Sequence, residues 1–341
     1  MSRHDRRGPA ARRVPGTRLP GPGAPWAGWG RGATAVMAGR SWWRSPLARR
    51  RALSGYLCLL PWLLGFWLFT FYPVVASAYY SLTDFPILKG PSWVGLDNYR
   101  TMLFVDDLFW KALSVTALYS LVAVPGGVVV GYTIALLLNQ SVRGLSAWRT
   151  VYFLPSIVPA IASAYLWAWL FNPDFGLING FLTIFGLRGP KWFGSEEWVL
   201  PAFIIMHLWG AGGGLVLYLA SLQQVPTTLY EAAKVDGASA WQRLVNVTLP
   251  MTSPVILFTF LTGIIGSFQV FTAGYIITSG GPNNASLFYV LYLFRNGWQY
   301  YKMGYAAALA WVLLLIMLGL TLLTLWASRR MVYYEYNERE K

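Results

Sequence analysis

An all-α membrane protein with six transmembrane helices is the fold class predicted by three observations. Hydrophobic residues make up 56% of the 341 residues and charged residues only 12%, about half the share usual in soluble domains. Mean hydropathy is +0.45. Apolar runs near the ~20 residues that cross a bilayer recur at 53–82, 112–138, 151–171, 198–221, 253–277 and 305–327. None of these runs contains Asp, Glu, Lys or Arg. The 18 Trp and 20 Tyr suit the aromatic belts of membrane–water interfaces. A lone Cys58 excludes an internal disulfide, and no Cys/His cluster has metal-ligand spacing.

The net charge of +14 is placed unevenly. Residues 1–52 hold twelve Arg and a single Asp in a Gly/Pro/Ala-rich background. Such a segment buries too little apolar surface to offset its ordering entropy, so 1–50 is expected to be a disordered basic tail. Met37 is a second candidate start. The first apolar run follows Arg49–Arg51 and precedes Ala76-Ser77-Ala78, which resembles a secretory signal. Its length exceeds a signal core, and it is expected to be retained as a span. With the N-terminus cytoplasmic, the inside segments (1–52, 139–150, 222–252, 328–341) carry 20 Lys+Arg against 6 acids. The outside segments carry 7 of each, as the positive-inside rule expects. Both termini, including a tail over 331–341, are therefore expected in the cytoplasm, flanking a membrane domain over 51–330.

The loop between spans four and five, 222–252, has more local structure written into it than a connection needs. Thr228-Leu-Tyr-Glu231 and Ser239-Ala-Trp-Gln242 each fit a capping box, which opens a helix by satisfying free amides. Gly237 stands where a left-handed helix end is wanted, and Pro250 is expected to end the second arm. The reading is helix, glycine bend, helix, with Ala232 and Ala233 forming a small-residue face. On pattern alone such a pair suits either a protein partner or lipid headgroups.

A resemblance separates those two. Glu231-Ala232-Ala233, three residues, Gly237, nine residues, Val247, one residue and Leu249-Pro250 resembles the EAA signature of ABC-importer permeases, E-A-A-x3-G-x9-I-x-L-P. Only Val247 departs from it. The resemblance implies the MetI-like ABC-importer permease fold. It also implies that Glu231, Ala232, Ala233, Gly237, Leu249 and Pro250 dock on an ATPase subunit. Asn172-Pro173 with Gly176-Leu-Ile-Asn179, Thr278-Ser-Gly-Gly-Pro282 and Met303-Gly-Tyr-Ala-Ala307 are similar to the carbohydrate permeases of the maltose, glycerol-phosphate and trehalose type. The implied partners are a second permease subunit, an ATPase homodimer or heterodimer, an external solute-binding lipoprotein and membrane lipid, with no nucleic acid. Localisation in a bacterial cytoplasmic membrane follows from the same resemblance.

The chain lacks a GxxxxGK[ST] phosphate loop; its nearest Gly cluster, Gly210–Gly214, lies inside an apolar span. No cofactor is expected on this chain, with ATP and Mg belonging to the partner ATPase, and no catalytic constellation is evident. A secondary transporter working alone would need charged groups near the midplane, and a membrane enzyme would need catalytic carboxylates. Charge-free spans favour a neutral, sugar-like solute over an ion, although glycerol phosphate is an alternative within the resembling families. Candidate substrate-path residues are Trp209, Gly210 and Gly213 in span four, and Gly263, Ser267 and Gln269 in span five. His207 is expected to be a hydrogen-bonded packing residue.

Overall fold

The computed structural model describes residues 46–140, 143–329 and 332. The tails expected over 1–50 and 331–341 therefore lie almost wholly outside the described residues. The chain divides into two compact units, 1–72 and 73–341. In the first, helix Pro46–Phe66 leads into a π-helical turn, Trp67–Phe71. Every contact described below lies within the second.

Among the described residues, five helices are long and apolar enough to span a membrane: Ala52–Ser81, Asp107–Leu138, Glu196–Gln224, Ala240–Phe268 and Met303–Ser328. The expected span at 151–171 is instead two helices, Leu145–Ile157 and Ala160–Leu170, bent by 98°. Counted as one, the pair brings the total to six. The break falls where proline dictates it. Val158 precedes Pro159 and is extended (φ −65°, ψ 127°), because the proline ring disfavours a helical residue before it.

The expected fifth span, 253–277, is also shifted. Its helix begins at Ala240, within the predicted second arm, and ends at Phe268, followed by a separate π-helical turn, Gly274–Thr278. Pro250 does not end the second arm. A π-helical turn at Leu244–Thr248 precedes it, and the proline occupies the first turn of Leu249–Phe268, where its missing N–H costs little.

Spans two, four, five and six enclose the main core. Phe109, Phe203, Leu287, Phe288, Tyr289 and Leu309 are at most 3% exposed within it. A two-stranded hairpin, Thr83–Asp84 with Ser92–Trp93, and the helix Asp97–Phe104 precede span two. Asp106 caps span two by accepting from the amides of Leu108 (3.0 Å) and Phe109 (3.3 Å). The same carboxylate accepts from the hydroxyls of Tyr292 and Tyr305. This knot joins the starts of spans two and six to the short helix Tyr289–Phe294.

Candidate functional site: a helical arm and a glycine-lined cavity

The loop before span five is a helical arm, Thr227–Val235, turning into the helix of span five. The first predicted capping box does not form. Pro226 takes the N-cap position (ψ 130°), so Thr228 is already helical and caps nothing. The arm's end follows the sequence reading closely. Gly237 is left-handed (φ +76°), its amide bonds Lys234 O at 3.1 Å, and the Ala238 amide bonds Ala233 O at 2.9 Å. That pair of bonds is a Schellman closure. The second box forms in full: Ser239 N–H donates to Gln242 Oε1 (2.7 Å) and Gln242 N–H to Ser239 Oγ (3.3 Å).

Glu231, Ala232 and Gly237 are exposed, whereas Ala233, Leu249 and Pro250 are half-buried. Glu231 has no ion pair among the described residues. Val235, one turn on along the arm, is 88% exposed, and Trp241, at the start of the span-five helix, is 71% exposed. The arm thus leaves the Val235 side chain and the Glu231 carboxylate open. Tyrosines anchor the arm and its neighbours to span five. Tyr230 bonds Thr248 (3.0 Å), Tyr132 of span two bonds Thr252 (2.7 Å), and Tyr218 of span four bonds Thr259 (2.8 Å). Those threonines are four and seven residues apart, so they share one helix face. The hydroxyl pairing itself joins distant positions and was invisible in the sequence, although the threonine spacing was there to be read.

The top of that stripe opens on a cavity of about 320 Å³. Span four is broken there. Its α-helix stops at Trp209, runs as a 3-10 turn over Gly210–Gly214 and resumes at Leu215. Irregular backbone at membrane depth is tolerated where protein or a water-filled cavity satisfies it, and broken helices mark solute sites in other transporters. A Cβ on Gly212 would sit 1.9 Å from Tyr152 O, so the glycine allows the bent third span to close on the break. Gly210, Gly213 and Gly263 line the cavity together with His207, Tyr218 and Thr259.

Other predicted path residues are elsewhere. Trp209 lines an adjacent cavity of about 260 Å³, which also contains His207 and Gly210. Ser267 is 2% exposed and bonds Ser120 at 2.6 Å, and the Gln269 amide points to Met317 Sδ at 3.8 Å. Neither lines these two cavities. The expectation for His207 is corrected as well. Its ring meets Tyr119 edge-on at 6.0 Å and has no hydrogen-bond partner among the described residues.

The family model described as "Binding-protein-dependent transport system inner membrane component" matches residues 127–333. The chain belongs to this family. Of curated relatives, the permease is 37% identical to the probable ABC transporter permease YesP of Bacillus subtilis, over 91% of this chain and 99% of that one. It is 34% identical to the trehalose/maltose permease MalF of Thermococcus litoralis, over 76% and 87%. With the lactose permease LacF of Rhizobium radiobacter, identity is 33% over 84% and 97%. Among solved structures, a bacterial alginate ABC transporter in complex with an alginate pentasaccharide-bound periplasmic protein matches the permease with TM-score 0.74. That match is 25% identical over 86% of this chain and 98% of that one. The residues matched by the family model include the helical arm and the break in span four, so the permease fold expected from the EAA resemblance is the fold found.

Proposed function

We propose that this permease is the membrane-spanning, non-catalytic subunit of an ATP-driven importer for a neutral sugar or sugar-like solute. The observation that carries the reading is the exposed, Schellman-closed arm at Thr227–Val235, tied by Tyr230 to the helix that lines the cavity. A separate ATPase pair grips the arm at Glu231, Ala232, Ala233 and Gly237, while Leu249 and Pro250 set the start of span five behind it. ATP and Mg are handled on that partner. Its motion passes through the Tyr–Thr contacts to spans two, four and five, and the cavity lined by Gly210, Gly213 and Gly263 exchanges its exposure between the two faces. A second permease subunit completes the pathway, and an external solute-binding lipoprotein delivers the solute.

Sugar as cargo is supported by the trehalose/maltose and lactose relatives and by spans without an acid to pair with a charged solute. The cytoplasmic side of loop 222–252 and of both termini is supported by the basic excess of the inside segments.

The test is purification of the tagged full chain from its native host in mild detergent. The expected result is co-purification of an ATPase and a second permease-like chain, with maltose, trehalose or lactose uptake into proteoliposomes only when ATP is supplied to the ATPase side. Uptake by the chain alone without ATP contradicts the reading.

A further inference from the structure

A third cavity, about 530 Å³, lies between spans two, five and six. Its walls are Leu118, Leu121 and Pro125 of span two, Phe260 and Ile264 of span five, and Leu320 of span six. The only polar side chains in the lining are Ser114 and Ser120, and both hydroxyls are engaged within the chain. Ser114 Oγ donates to Lys111 O at 2.8 Å, and Ser120 pairs with Ser267 at 2.6 Å. No side chain is left over to hold water or a polar solute, and an apolar cavity stays dry and takes an apolar guest.

Leu118 is 54% and Leu121 71% exposed, so the cavity opens sideways from the bundle. On a span, what lies there is lipid or protein, and two observations select lipid. The first is depth. Ser114 and Pro125 are eleven residues apart on one helix, about 16 Å of rise and close to half of a ~30 Å hydrocarbon core. The cavity is one leaflet deep. The second is the end from which it starts. One turn before Ser114, Lys111 is exposed and forms no ion pair among the described residues, even with Asp107 four residues back. Trp110 beside it is 51% exposed, its indole N–H held on Leu103 O at 3.1 Å, which suits a membrane interface. A cation and an indole above a one-leaflet apolar slot match a phosphodiester above a hydrocarbon chain.

We infer that this cavity holds one acyl chain of a membrane phospholipid whose phosphate rests on Lys111. Asp107 is then placed for the ammonium of an ethanolamine headgroup. Val124 lines both this cavity and the glycine-lined one, and a Cβ on Gly263 would sit 2.9 Å from its Cγ1. The lodged chain therefore backs a wall of the glycine-lined cavity. The site does not depend on which solute is carried.

To test it, the complete transporter is reconstituted in bilayers doped with a phosphatidylethanolamine bearing a photoactivatable diazirine midway along one acyl chain, and adducts are mapped by mass spectrometry. Adducts on Phe260, Ile264 and Leu320 are expected to saturate as the labelled fraction rises, whereas adducts on the outer surface of the spans rise in proportion. Lys111→Gln is expected to reduce the saturating adducts about fivefold. Ala117→Trp, which fills the cavity, is expected to remove them. Both variants leave the proportional adducts unchanged. Should the tryptophan variant fail to assemble, Lys111→Gln still decides, because that side chain is exposed and unpaired among the described residues. Wall adducts that are absent, or that neither saturate nor respond to Lys111→Gln, overturn the site. So does a benzophenone amino acid at position 121 that cross-links the second permease subunit instead of lipid, since a protein then covers the cavity.

Discussion

Glu231→Lys is expected to reduce ATP-driven uptake by at least about a hundredfold while the protein still inserts and purifies as a folded subunit. Glu231 is exposed, has no ion pair among the described residues, and lies in the middle of the arm, so nothing inside the chain needs its charge. At a docked interface the reversal sets a cation where the partner receives an anion. Juxtaposed like charges cost several kcal/mol, and each 1.4 kcal/mol is about a factor of ten. Uptake assays on membranes with equal amounts of the variant and wild type, together with retention of the ATPase on the tagged chain, check both halves. Loss of uptake with the ATPase still bound at wild-type affinity points to a role for Glu231 in motion rather than in docking.

The second large effect concerns the fold. Asp106→Ala removes the N-cap of span two, worth about 1 kcal/mol, and leaves the buried hydroxyls of Tyr292 and Tyr305 without their acceptor, at about 1–3 kcal/mol each. A loss of about 3–7 kcal/mol in unfolding free energy is expected, read by denaturant or thermal unfolding in detergent. Asp106→Asn keeps an oxygen to cap the helix and is expected to recover part of the loss. Burial, and secondarily the Asp106 carboxylate, pushes the Tyr292 phenol above its ordinary value, so it stays a donor throughout the working pH range. An Asp106→Ala protein as stable as wild type shows that the knot carries no net energy.

Features specified by neighbours in the chain were legible before the structure. The apolar runs located spans one, two, four and six within a few residues of their helices, because crossing a bilayer depends on length and composition. Gly237 and the Ser239–Gln242 box were legible because a helix end is decided within a few residues of itself. Two local misreadings have local causes: Pro226 competes with Thr228 for the N-cap, and Pro159 breaks a run whose hydropathy is uninterrupted. What could not be read depends on three-dimensional register. Asp106 meets Tyr292 and Tyr305 from 186 and 199 residues away. Tyr119, Ser163 and His207 converge only because spans two, three and four are packed around one break. Ser267 shares a helix face with Gly263, which suggests the path, but its hydroxyl is spent on Ser120.

Site-directed labelling at the arm tests the central claim most directly. In a Cys58→Ser background, Ala232→Cys puts the chain's one thiol on the exposed side of the arm proposed to dock. In intact cells a membrane-impermeant maleimide is expected to leave that thiol untouched. Once the membrane is opened, a short bifunctional cross-linker is expected to join it to the ATPase subunit. Labelling from outside in intact cells contradicts the account, because the arm then faces away from any cytoplasmic ATPase.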